Sequence, residues 1–162
     1  MTSMLREHVR QALERLEPTV LPPDGSLLYP CAAQLRDGRT LDCVYFVDQS
    51  TFTRLSGRNR PDELGKEPTV SPSDVVSVRE SRFRLPARFA NEIYRAGETG
   101  FGYTAFTLVF PLGYRRNYTV PGSAVDFLEY PFCFGPSSVR DVILYPSKRK
   151  LRAVPEAHWC VF

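Results

Sequence analysis

One junction limits what this chain can build more than any other stretch: a helix that stops on glycine and passes at once into an aromatic strand, across residues 85–110. Pro86 stands at a first helical position, and Phe89, Ala90, Ile93 and Tyr94 recur at helical spacing. Arg88, Asn91, Glu92 and Arg95 take the opposite side, so the spacing predicts a short amphipathic helix. Gly97 falls where a C-terminal cap needs positive φ, and Gly100 and Gly102 keep the loop from resuming the helix. Tyr103 to Phe110 is then dense in aromatic and β-branched residues, which predicts a strand covered on both faces. The glycine-rich loop is no phosphate cradle. Such cradles run from strand through loop to a helix N-terminus, whereas this loop leaves a helix and enters a strand.

The upstream half carries its own punctuation. Ser3 is positioned to cap a helix with Leu5, Val9, Ala12, Leu13 and Leu16 on its inner face, stopped by Pro18. Leu27 to Val47 reads as a hairpin turning at Asp37-Gly38. With those two residues in the turn, Cys31 pairs with Val44, and Cys31 and Cys43 point to opposite faces. Leu41, Cys43, Tyr45 and Val47 are expected to share one face of the second arm, and Pro30 pushes the first arm toward an edge. Residues 50–69 lose periodicity and read as a long loop, followed by a strand over 70–79 with Val76 and Val78 opposite Val75.

Downstream, a second hairpin is expected around Gly113 to Arg116, a turn at Pro121-Gly122, and a strand from Ala124 to Tyr130 broken by Pro131. Val139, Val142, Ile143 and Leu144 form the last strong apolar segment before a basic tail over 147–162. The stretch Pro72-Ser-Asp-Val-Val-Ser-Val78 echoes Pro136-Ser-Ser-Val-Arg-Asp-Val142 at four of seven positions. The fold expected is α+β, mainly β: two antiparallel hairpin-plus-strand units in a rolled sheet or small barrel, with an N-terminal helix and one central helix. The chain reads as a single domain over 1–162, with pseudo-repeat halves at about 26–80 and 101–146.

The chemistry on offer is sparse. Four cysteines without a C-x-x-C pair and two histidines argue against a structural zinc site, so no metal and no cofactor is expected. The thiols read as free, in a soluble, cytoplasmic, bacterial protein without a membrane span. His158 lies two residues before Cys160, yet no nucleophile elbow or cysteine-protease motif accompanies them, which leaves a small hydrolase as the second alternative. The residues whose settings most invite ligand binding are Glu98, Tyr103, Arg115, Arg116 and Asp126. A carboxylate inside an apolar strand must find solvent, a cation or a proton-transfer role, and Arg115 and Arg116 are the expected partners of Asp126.

A net charge of +3 is too small to imply nucleic acid, although Lys148, Arg149, Lys150 and Arg152 gather in the tail. Arg79, Arg82, Arg84 and Arg88, with eleven phenylalanines and eight tyrosines, keep a nucleic-acid-binding module as the first alternative. The absence of a catalytic constellation favours a non-enzymatic binding protein acting through protein–protein interaction, of accessory, inhibitor or immunity type. A protein partner is expected ahead of nucleic acid, with a homodimer among the candidates. Trp159, Val161 and Phe162 are apolar enough to fold back onto the domain or onto a second copy.

Overall fold

The computed structural model describes residues 4–58, 68–121, 124–146 and 154–162. Among them are three α-helices and eight strands in two sheets. The elements are α1 (Glu7–Glu14), β1 (Thr19–Leu21), β2 (Ser26–Leu35), β3 (Thr40–Val47), α2 (Gln49–Arg58), β4 (Val75–Arg79), α3 (Ala87–Ala96), β5 (Tyr103–Val109), β6 (Arg115–Pro121), β7 (Asp141–Leu144) and β8 (His158–Val161). No helix among the described residues is long and apolar enough to cross a membrane.

The first sheet runs β1-β2-β3-β8, with β4 also paired to β2; the second runs β6-β5-β7. The two do not close into a barrel, because among the described residues no strand of one pairs with a strand of the other. Each sheet nevertheless contains the same antiparallel triplet. A hairpin, β2-β3 or β5-β6, receives a third strand, β4 or β7, on its first arm. Both copies of the proline-serine echo form a 3-10 turn at that place, Pro72–Asp74 before β4 and Pro136–Ser138 before β7.

The first hairpin reaches its expected register by an unexpected route. Gln34 pairs with Thr40 and Gly38 has φ 91, so the turn holds three residues, one more than a two-residue loop. An extra residue on β3 then shifts the ladder between Cys31 and Ala33 and restores the Cys31–Val44 pairing. Cys31 and Cys43 do face opposite sides, Cys31 toward α1 and Cys43 toward the second unit. Leu41, however, crosses from the face expected of it and packs with Cys31 and Val44, since a bulge inverts the alternation. Pro30 is internal to β2 but falls between Leu28, where β1 stops, and Ala32, where β4 starts. That side of β2 has no ladder at this point, and a residue without an N–H is tolerated there.

Three further expectations need correction. Residues 49–58 are helical, not loop: Asp48 accepts hydrogen bonds from the Thr51 N–H (2.7 Å) and the Ser50 hydroxyl (2.8 Å), which caps α2. Of the rest of the expected loop, 59–67 lies outside the described residues and Thr69 bridges to Trp159. The strand expected over 70–79 begins only at Val75, and a register shift against β2 places Val75 and Val78 on the same core. Residues 124–130 form no strand; their one bridge, Phe127 to Arg84, is flanked by hydrogen bonds from Leu85 N–H to the Asp126 carbonyl (2.7 Å) and from Leu128 N–H to the Phe83 carbonyl (3.0 Å). At the N-terminus α1 starts at Glu7 without a side-chain cap, and Ser3 lies outside the described residues.

Apolar burial falls into three clusters. The first joins α1 (Val9, Leu13) to β2, β3 and β8 through Val44, Phe46 and Cys160. A second holds the other face of that sheet, Tyr45 and Val47 with Phe127, and the third holds α3 against β5, β6 and β7. The C-terminal residues fold back as expected: β8 adds parallel to β3, and Trp159 stacks on Tyr45 with ring centroids 4.7 Å apart. The basic run 148–152 lies outside the described residues. Gly97 ends α3 at φ 79, in the left-handed region a cap glycine favours.

Candidate interaction surface

The five residues singled out from sequence do not meet in one cleft. Glu98 is exposed on the glycine loop, where its carboxylate accepts the Gly102 N–H at 3.2 Å. Tyr103 opens β5 opposite Pro121, while Arg115 and Arg116 stand opposite Val109 and Leu108 at the strand's other end. At strand rise those ends are separated by roughly 20 Å. Arg115 is exposed; Arg116 is half-buried, and its Nε is enclosed without a partner.

Asp126 is fully buried between the two sheets and pairs with neither arginine. Its carboxylate accepts hydrogen bonds from the Thr19 hydroxyl at 2.7 Å and the Tyr94 hydroxyl at 2.5 Å, and the Tyr45 phenol faces it. The Arg84 guanidinium, also buried, donates to the Thr19 hydroxyl at 3.4 Å. Burial raises the Asp126 carboxyl above its ordinary 3.8, and the hydrogen bonds from Tyr94 and Thr19 and the charge of Arg84 oppose that rise. The cation that offsets this carboxylate comes from the segment before α3, because Arg84 bridges to Phe127 next door. This network has the character of a buried clamp between sheets.

A different set of residues forms an exposed apolar patch at the end of the second sheet, where β5 turns into β6. The turn Pro111–Gly113 holds Leu112 at φ 61, ψ 21 and leaves its side chain fully in solvent. The neighbouring loop holds Phe132 at φ 53 with 80% of its surface exposed. Left-handed backbone in a residue with a β-carbon costs on the order of 1 kcal/mol or more, and here two apolar side chains occupy it in water.

Below them the rings are ordered. Phe134 stacks on buried Phe110 (5.2 Å between centroids, 5° between planes), and Tyr114 meets Phe132 edge-on at 5.3 Å. Phe110 N–H donates to the Tyr114 carbonyl at 2.7 Å and Phe134 N–H to the Pro131 carbonyl at 3.0 Å, which closes both turns. Two exposed arginines rim the patch. Arg115 pairs with Val109, and the Arg140 N–H donates to the Val109 carbonyl at 2.8 Å, so both flank the residue before Phe110. Asp141, also opposite Val109, is the acidic member of the rim.

Of the residues at this end, Arg115 alone was singled out from sequence, as part of a different grouping, and Pro131 was read only as a strand breaker. The available signal was the aromatic density of Tyr130-Pro-Phe-Cys-Phe, too long and too interrupted to be a strand. Cys160 is buried with its thiol pushed up to about 12, which leaves almost no thiolate at neutral pH, and Cys43 is likewise pushed up to about 12. Among the described residues no group of three or more His, Cys, Asp or Glu side chains could hold a metal ion.

No protein-family model, no curated protein and no solved structure matches this chain.

Proposed function

We propose that the protein acts by binding another protein, without catalysis of its own, through the aromatic end of the second sheet. One observation carries this reading: Leu112 and Phe132 are both held in left-handed backbone with their side chains in solvent, over a stack of rings. Folding alone gains little from that arrangement, since Leu112 is fully in solvent and Phe132 keeps only its edge contact with Tyr114. Binding does gain, because a rigid aromatic and an aliphatic anchor lose little entropy when a partner covers them. The rim of Arg115 and Arg140 favours a partner with an apolar pocket edged by acidic residues.

A photo-crosslinking residue at position 132 tests this in the native cell, with position 101 as the control because Phe101 is still more exposed and lies outside the patch. The expected result is a discrete protein adduct from 132, absent from 101 and lost on Leu112→Asp. Nucleic acid is the competing occupant. Fluorescence anisotropy with single-stranded and duplex oligonucleotides at two salt concentrations decides against protein binding if affinity depends on Phe132. It does so too if the log-log salt slope is about −3 to −4 and vanishes when Lys148, Arg149, Lys150 and Arg152 become alanine.

A further inference from the structure

A cleft of about 590 Å³ opens between α1, the β1-β2 turn, the start of α2 and Phe162, on elements that the aromatic patch does not use. Its size suits a small ligand. Most of its polar lining is already committed. Arg54 pairs with Asp24 and Ser26, and Asp48 caps α2.

Three polar groups in the lining are not committed. Arg10 lies over the Phe162 ring, 5.7 Å from its centroid, with no hydrogen bond or ion pair to any described residue. Glu14 and the Tyr29 hydroxyl are likewise without a hydrogen bond among the described residues. Arg10 and Glu14 are one helical turn apart on α1, both face the cleft, and yet they do not pair. The order matters, since a cation placed four residues before an anion is the poorer arrangement on a helix. Tyr29 is raised above its ordinary 10.0, by burial first and then by the Glu14 charge, so its phenol stays protonated and able to donate.

We propose that this cleft binds a free α-amino acid with an aromatic or large aliphatic side chain. Arg10 takes the ligand carboxylate, its guanidinium already held over Phe162. Glu14 takes the ammonium, so that the ligand's two charges answer the two heads that do not answer each other. Leu13, Leu27 and the Tyr29 ring cover the side chain. A singly charged molecule of the same shape leaves one of the two heads unanswered.

The test is calorimetric titration of the full chain with L-phenylalanine, phenethylamine and 3-phenylpropionate, each against the wild type, Arg10→Gln and Glu14→Gln. Glu14 is exposed and Arg10 half-buried, and circular dichroism checks that both variants remain folded. Expected is phenylalanine binding at least about tenfold tighter than either analogue. Arg10→Gln should weaken phenylalanine and phenylpropionate while sparing phenethylamine, and Glu14→Gln should do the converse. Absence of heat with all three ligands, equal affinity for the three, or indifference to both substitutions overturns the proposal.

Discussion

Thr19 and Asp126, 107 positions apart in the chain, share a 2.7 Å hydrogen bond in the interior, and the same Thr19 hydroxyl accepts from Arg84. One hydroxyl therefore stands between a buried carboxylate and a buried guanidinium. Thr19→Val keeps the shape and deletes the link, leaving both charges short of a partner. We expect a loss of about 1–3 kcal/mol in urea denaturation, with Thr19→Ser retaining most of the stability. Equal stability of the valine variant would show that the clamp contributes nothing.

Asp126 also imposes a pH dependence. Its folded-state affinity for a proton is raised, chiefly by burial, so the native state holds the proton more tightly than the unfolded chain does. The stabilising contribution is fully present below the unfolded value of 3.8 and is lost as pH rises through the higher folded value. Exposed Asp37, lowered by its hydrogen bonds to the Arg39 backbone and side chain, works in the opposite sense. The difference between wild type and Asp126→Asn isolates the buried group. That difference, followed by denaturant midpoint across acid to neutral pH, should move against the wild type as pH rises.

Two glycines flanking the same loop should fail for different reasons. At Gly97 a β-carbon meets nothing within 4 Å, so Gly97→Ala is penalised only by φ 79, at about 1 kcal/mol. At Gly100 the β-carbon lands on the Tyr103 ring, and alanine there must displace that side chain. Thermal unfolding should register both. Only Gly100→Ala should shift the Tyr103 ring resonances.

The thiols divide by exposure. Cys31, Cys43 and Cys160 are buried, and Cys133 is exposed in the aromatic loop. A disulfide-exchange reagent should titrate one thiol quickly in the native protein and all four after denaturation without reductant. Two or more fast native thiols, or fewer than four on unfolding, would contradict the structure.

Leu112 offers a test of what its backbone is for. Asparagine tolerates the left-handed region better than leucine, so Leu112→Asn should stabilise the fold by about 0.5–1 kcal/mol while weakening partner capture at position 132. Stabilisation with unchanged capture would leave the conformation without the role given to it.

The parts of the fold written in local chemistry were legible from sequence. Gly97 after an amphipathic helix specifies its own geometry, and Asp37-Gly38 between alternating arms marks where the chain turns, although the turn takes a third residue. The bulge that turns Leu41 over was not, because nothing in Leu41-Asp42-Cys43 marks an extra residue; only the pairing with β2 requires one. The helix α2 escaped since Phe52 and Leu55 alone carry its apolar face, although Asp48 ahead of Ser50 and Thr51 is a cap that could have been recognised. Asp126 was marked as a carboxylate in need of a partner, and its partners proved remote in sequence. The cleft beside Arg10 was beyond reach for the same reason, being assembled from α1, a turn, α2 and Phe162.

Residues 125–128 belong to two interiors at once, with Val125 and Leu128 in the core under α3 and Phe127 against Tyr45 of the other sheet. Neither interior is complete before this segment arrives, and it arrives across long loop closures, Asp126 reaching Thr19 over 107 positions. Formation of the native state should therefore be slow for a chain of this length and without a stage at which one sheet stands finished alone. Injury to either sheet should be felt as loss of both.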